Sequence, residues 1–217
     1  MQTLRTRSYV TAVTAALVLA GTGTAMADPA DSDAESGRQA ASLAAPGRFH
    51  DGGFEMPRMA PNTFHTFTVG QSIEPWKVSH GQVDVVHAGV WQAAEGDQSL
   101  DLSGFEPGAV SQTFATKPGA RYTMSYKLAG NPHPEGPVVK TGKVLIDGDK
   151  VQDFSFNTTG KSYRNMGYVN RRLTFVATGA STTLSFVNTT TPKTASGPVI
   201  DDVRVEVKHP CESNCGR

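Results

Sequence analysis

Beyond residue 48 the chain is a succession of short runs in which apolar and polar side chains alternate, broken by Gly, Pro, Asn and Asp. A period of two sends successive side chains to opposite faces, which marks half-buried strands. Tyr122, Met124, Tyr126 and Leu128 alternate with Thr123, Ser125 and Lys127. Leu173 and Phe175, then Leu184 and Phe186, repeat the alternation around Gly179, and Val203, Val205 and Val207 form one row of a last strand. Val110 to Phe114 reads as another strand, ended by Thr116-Lys117-Pro118-Gly119. Between two further runs, Asp147-Gly148 is a hairpin turn signal, since both residue types accept positive φ. Inside the domain no stretch long enough for a helix carries a helical apolar stripe. Eight or more short strands in about 160 residues predict an all-β, two-sheet β-sandwich. It occupies residues 49–207, with no internal repeat.

The first 27 residues read as an export signal. Arg5 and Arg7 make a positive start, Val10 to Ala20 is uncharged and mostly apolar, and Ala25-Met26-Ala27 has the small-x-small pattern of a cleavage site. The apolar stretch is shorter than the ~20 residues a membrane span needs. Arg5 and Arg7 are separated by Thr6, so the twin-arginine route is not indicated. Residues 28–48, rich in Ala, Ser, Asp and Gly, bury too little surface to offset ordering entropy and read as a flexible linker. The C-terminus offers neither a hydrophobic tail nor a wall-sorting pattern, so a freely secreted, extracellular protein is expected.

Charge narrows the partners. The chain has 20 basic and 20 acidic side chains, and without residues 1–27 the formal balance is −2. With no basic stripe, nucleic acid and anionic membranes are not expected as partners. No later run is apolar enough to span a bilayer. Both cysteines, Cys211 and Cys215, follow the last predicted strand, in a tail over 208–217. In an oxidising compartment a local disulfide is expected, with an intermolecular bridge, a metal pair or a free thiol as alternatives.

An ordered series of motifs runs through the domain. It begins with Asp51-Gly52-Gly53-Phe54-Glu55, Trp76 and Val83-Asp84-Val85-Val86, then the segment from Gly96 to Gly104. Ser111 to Phe114, Pro118-Gly119, Leu128 to Pro132 and Gly197 to Val203 follow. The series resembles the bacterial choice-of-anchor C family and the related plant cell-wall family, domain of unknown function six-forty-two. The resemblance implies a galactose-binding-like jelly roll, an extracellular location and association with polysaccharide or a cell-wall glycan, without an established catalytic activity. It also implies first and last strands side by side, so that distant carboxylates share a cation. Bacterial members often carry a C-terminal anchor, whereas this chain ends in a Cys-containing tail.

Calcium takes six to eight oxygen ligands. A structural calcium is expected at the carboxylates of Glu55, Asp201 and Asp202 and a carbonyl near Gly53, as in related carbohydrate-binding jelly rolls. Because Asp201 and Asp202 face opposite sides of a strand, Asp202, outside the valine row, is the favoured side-chain ligand. The alternative is that these acids cap turns.

Sugars bind by stacking on rings while amides and acids bond the hydroxyls. Trp76 is expected in the core. Trp91, Gln112, Tyr126 and Asn131 are the candidate carbohydrate contacts, and Asn131-Pro132-His133-Pro134 is a stiff loop suited to one wall of a groove. Leu100 and Leu102 should point inward, leaving Ser99, Asp101 and Ser103 to bond a neighbouring strand or sugar hydroxyls. Catalytic signatures are absent: there is no Gly-x-Ser-x-Gly elbow, no His-Glu-x-x-His and no phosphate loop. Glu95, Asp97, Glu106 and Glu135 are scattered acids that sequence alone cannot pair for glycoside hydrolysis. The sequence therefore points to a secreted, non-catalytic carbohydrate-binding domain. An extracellular protein-interaction module is the alternative, and a glycoside hydrolase ranks below both.

Overall fold

The computed structural model describes residues 48–208. The expected export signal, nearly all of the linker, and Cys211 and Cys215 lie outside the described residues.

Twelve strands are described: β1 (Phe64–Thr68), β2 (Ser72–Ile73), β3 (Trp76–His80), β4 (Gln82–His87), β5 (Gln98–Asp101), β6 (Ala109–Ala115), β7 (Arg121–Gly130), β8 (Val139–Ile146), β9 (Asp149–Asn157), β10 (Val169–Val176), β11 (Ser181–Asn188) and β12 (Pro198–Val207). They form two six-stranded sheets in a sandwich, in the orders β1-β4-β5-β12-β7-β10 and β2-β3-β6-β11-β8-β9. Every strand pairing is antiparallel. No helix is described. Asp147 and Gly148 join β8 to β9 with φ of 51° and 90°, the two positive values that a two-residue hairpin requires.

The alternating rows meet between the sheets. Val85, Leu100, Ile200 and Leu128 are neighbours across β4, β5, β12 and β7, and none is exposed. From the facing sheet come Trp76, Val110, Phe114, Leu184 and Phe186. The Tyr126 ring packs edge-on against Phe186 at 5.1 Å, and Trp76 lies against Phe54 at 5.2 Å and Phe186 at 6.1 Å. Aromatic burial of this kind supplies the largest single side-chain contributions to a core.

One implied feature is corrected. The first strand does not lie beside the last: β1 pairs with β4, and β12 sits between β5 and β7. It is the irregular segment before β1 that reaches β12. Val203 N–H donates to the Gly52 carbonyl at 2.9 Å, and Gln112 holds the His50 backbone through its carbonyl oxygen and its amide, at 3.1 and 3.0 Å. The Trp76 indole N–H donates to the Asp51 carbonyl at 2.9 Å. Phe54 has a φ of 56°, rare for a bulky residue, and its fully buried ring against Trp76 offsets that cost.

A side chain at Gly52 has no room, since an added Cβ would lie 1.8 Å from the Val203 carbonyl oxygen, a backbone atom that cannot rotate away. Gly52→Ala should therefore lower stability by about 3 kcal/mol, the upper end for overpacking. A urea midpoint unchanged from wild type would contradict this close approach.

Candidate functional site

The register also defines what the outer face of the β1-containing sheet carries. Thr66 pairs with Asp84, Asp84 with Asp101, Asp101 with Val199, and Val199 with Ala129. This row points away from the core, yet Asp101, Val199 and Ala129 are fully buried. Loops cover them and satisfy the polar members.

The loop before β5 lies over β5 and β12. Trp91 Nε1–H donates to Ser99 Oγ at 2.8 Å, and the Ala94 and Glu95 N–H groups donate to Asp201 Oδ2 at 2.7 and 3.0 Å. The loop between β9 and β10 joins it, with Gln92 N–H donating to the Tyr163 carbonyl at 2.7 Å. At the other end Asn131 Nδ2–H donates to Asp101 Oδ2 at 2.9 Å, and Gly197 N–H donates to Asp101 Oδ1 at 3.1 Å. Ser103 Oγ–H donates to the Thr194 carbonyl at 2.6 Å. Ser99, Asp101 and Ser103 thus bond neighbouring protein groups. Burial drives the Asp101 carboxyl well above the usual carboxylate range, opposed by Asn131, and burial also lowers buried Lys140, whose Nζ donates to Ser196 Oγ at 2.6 Å.

Where this cover stops, over β1 and β4, a cavity of about 240 Å³ opens. Its rings are Phe64, Trp91, Phe105 and Tyr163, and its polar groups come from Thr66, Asp84, Asn131 and His133. Phe64 and Phe105 are 58% and 81% exposed, whereas Trp91, also on the cavity wall, is buried. Asp84 Oδ1 is buried and meets no donor. Burial raises the Asp84 carboxyl, opposed by the Thr66 hydroxyl and by His65.

Of the expected carbohydrate contacts, Trp91 and Asn131 line this cavity. Gln112 and Tyr126 do not, and that expectation is corrected. Both point into the sandwich, 2% and 1% exposed, where Gln112 ties down His50 and the Tyr126 hydroxyl donates to Gln152 Oε1 at 2.8 Å. Phe64, Phe105, Tyr163 and Asp84 were missed as contacts. Phe105, a lone ring in the turn-like Ser103-Gly104-Phe105-Glu106-Pro107, carried the clearest sign of exposure.

Behind the same loop a set of carboxylates converges on the Gly52-Gly53 bend. Glu55 Oε1 accepts from the Asp97 and Gln98 N–H groups at 2.9 and 3.0 Å. An added Cβ at Gly53 would lie 2.5 Å from Glu95 Oε2, so Glu95, another residue missed as a ligand candidate, closes on the bend. Asp51 Oδ2 is buried with no partner. Burial raises the carboxyls of Asp51, Glu55 and Asp201, the last to about 7, and Glu95 adds repulsion to each.

The preference for Asp202 is corrected here. A bulge between Asp201 and Arg204 gives Asp202 a φ of 48° and turns its carboxylate to Arg204 Nε, 2.7 Å away, whereas Asp201 is the one bonded to the loop that carries Glu95. Among the described residues no three His, Cys, Asp or Glu side chains form a ready metal-ligand set. The oxygens of Glu55 and Asp201 are directed in part at backbone N–H groups instead.

The family model described as "Protein of unknown function (DUF642)" matches residues 47–206. Halomucin of Haloquadratum walsbyi is 30% identical over 146 residues, which is 66% of this chain but 2% of Halomucin. A family 35 carbohydrate binding module from Clostridium thermocellum is similar in structure, with a TM-score of 0.43 and 11% identity, covering 66% of this chain and 97% of the module. A xylan-binding domain from Paenibacillus barcinonensis has a TM-score of 0.43 and 15% identity, covering 67% of this chain and 92% of that domain.

If Asp201 holds the loop in place, Asp201→Ala frees two loop N–H groups. Both are partly reachable by water, so the expected loss is about 1–2 kcal/mol and local. Amide hydrogen exchange should quicken at residues 94–98 and leave β7 unchanged; equal exchange in both proteins would rule this role out.

Proposed function

The chain belongs to the DUF642 family, and from that premise we propose that it is a secreted, non-catalytic carbohydrate-binding domain whose ligand is a polysaccharide or cell-wall glycan. The observation that carries this reading is the cavity over β1 and β4, where exposed rings stand beside a carboxylate and an amide-anchored loop. Stacking of a pyranose on Phe64 and Phe105 buries apolar ring faces, and the polar groups orient the hydroxyls. The site is built before ligand arrives, since Trp91 and Asn131 are locked by hydrogen bonds, so little ordering entropy is lost on binding.

Phe105→Ala is the direct test, because a ring 81% exposed contributes little to folding. Isothermal titration of the chain without residues 1–27 against a polysaccharide panel should find a binder. The variant should then bind roughly three- to tenfold more weakly at an unchanged melting temperature, the range expected for one stacking ring. A variant that binds every glycan as well as wild type would move the site elsewhere. Absence of binding to any glycan would favour an extracellular protein partner.

A calcium ion at the Gly52-Gly53 bend is part of the same proposal. The groups around the bend are of the type a hard cation takes: carboxylate oxygens from Glu55, Glu95 and Asp201, an orphaned buried oxygen on Asp51, and the neighbouring backbone, which would have to draw together around the ion. None of these carboxylates forms a salt bridge among the described residues. Bound calcium would supply the missing positive charge and pin the loop that carries Trp91. At a hundredfold excess over Kd such an ion stabilises by about 2.7 kcal/mol, a rise in melting temperature of roughly 5–10 °C for a domain this size. A chelator should reverse the rise and Glu95→Gln should remove most of it. Identical melting with calcium and with chelator would eliminate the site.

A further inference from the structure

The carbohydrate reading leaves open which sugar the cavity takes, and the inference here rests on that reading. We infer that the cavity selects a sugar bearing an ammonium group, such as a residue of a glucosamine polymer, over neutral and acidic sugars.

Most hydrogen-bond donors at the cavity wall are already committed. The Trp91 indole N–H goes to Ser99 Oγ, and the Asn131 amide N–H goes to Asp101 Oδ2. Asn131 Oδ1 in turn accepts from the His133 backbone N–H at 3.1 Å. No lysine or arginine lines the space. The donors that remain are the Tyr163 hydroxyl and the His133 ring, both on exposed residues, and the Thr66 hydroxyl, which already favours the Asp84 carboxylate.

The acceptors are in surplus. Asp84 lies on the cavity wall with Oδ1 unpartnered, and it forms no salt bridge. Across the β4–β5 ladder its neighbour is Asp101, a second carboxylate, whose charge Asp84 destabilises. Lys140 is the cation nearest to that pair in effect. Its ammonium donates to the Ser196 carbonyl and Oγ, and its charge offsets Asp101. His65 is the remaining titratable group acting on Asp84. The exposed rings of Phe64, Phe105 and Tyr163 add π systems, whose faces attract a cation within about 6 Å of the ring centre.

A neutral sugar brings acceptors as well as donors, and its acceptors find few partners here. A uronate brings a carboxylate toward Asp84 and is repelled. An ammonium group brings only donors and a positive charge, so it suits both the rings and the Asp84 carboxylate, which lines the cavity with no cationic partner. The volume, about 240 Å³, is room for roughly one sugar ring and lies below the usual range for drug-sized ligands. One charged residue of a chain would sit in the cavity, with its neighbours outside.

The test is a titration of the chain without residues 1–27, in mildly acidic buffer, with four probes of equal length. These are glucosamine oligosaccharide, its N-acetylated form, a neutral gluco-oligosaccharide and a glucuronate-containing oligosaccharide. The glucosamine probe should bind at least about tenfold tighter than the other three, the scale of one desolvated charge contact. Asp84→Asn should shrink that preference to within about twofold, and Phe105→Ala should weaken the glucosamine probe without changing melting. If neutral and amino probes bind equally and both depend on Phe105, the ammonium inference fails and the carbohydrate reading stands. If no probe and no other glycan binds, both fail. A preference that survives in Asp84→Asn assigns it to general charge attraction and overturns the inference; should that variant not fold, the wild-type ranking of the four probes decides.

Discussion

The approach of the Gly52 carbonyl to the Val203 N–H is the contact on which the rest of the site depends. Only a residue without a side chain fits there, because the opposing atom belongs to the backbone of β12. With Gly52 seated, Asp51 presents its carbonyl to Trp76 and its carboxylate Oδ1 to the Glu55 N–H at 2.8 Å. Glu55 then reaches the start of β5, and the Gln98 side chain, fully buried, donates to the Phe54 carbonyl at 2.5 Å and the Pro57 carbonyl at 3.2 Å and accepts from the Met59 N–H. One segment without regular structure is thereby welded to two strands. Unmade hydrogen bonds at such buried positions cost about 1–3 kcal/mol each, so the segment docks as a unit or not at all.

A second constraint follows from the outer face. Ser99, Asp101 and Asp201 sit on strands in the middle of a sheet and point away from the core. On an open sheet water would satisfy them. Here loops exclude the water, so each loop must supply a specific donor, and each does. The polar row is therefore an address label for its loops. It dictates where the Trp91 and Asn131 loops land, and the cavity is the part of the face that they leave uncovered.

How much of this was legible in the sequence differs by element. The strands and the Asp147-Gly148 turn were legible because alternation and turn chemistry are local. Trp76 was legible as core. Gln112 and Tyr126 misled because a polar atom on a strand suggests an outward face. Both occupy inward rows, where reach across the sandwich to His50 and Gln152 satisfies them, and that depends on partners 62 and 26 residues away. Asp201 and Asp202 misled for another reason. A strict period of two assigns their faces correctly only in an unbroken strand, and the bulge at this point breaks it. Asp84 was hidden in an apolar run, since nothing local tells which loop will leave it uncovered.

The loop from Trp91 to Gln98 links the two halves of the candidate site. At one end its indole forms a wall of the cavity, and at the other its backbone and Glu95 contact the carboxylates at the Gly52-Gly53 bend. Five residues, too few to bend independently of the ends, separate Trp91 from Asp97. Whatever orders the carboxylate end therefore also narrows the positions open to the indole, and the ordering cost met before ligand arrives is not met again on binding. Calcium at the bend would act on affinity by this route alone, since the contacts offered by Phe64, Phe105 and Asp84 come from β1, β4 and a separate turn. On the proposed reading the bend would set how stiff the cavity is, and Asp84 with the rings would set what it accepts.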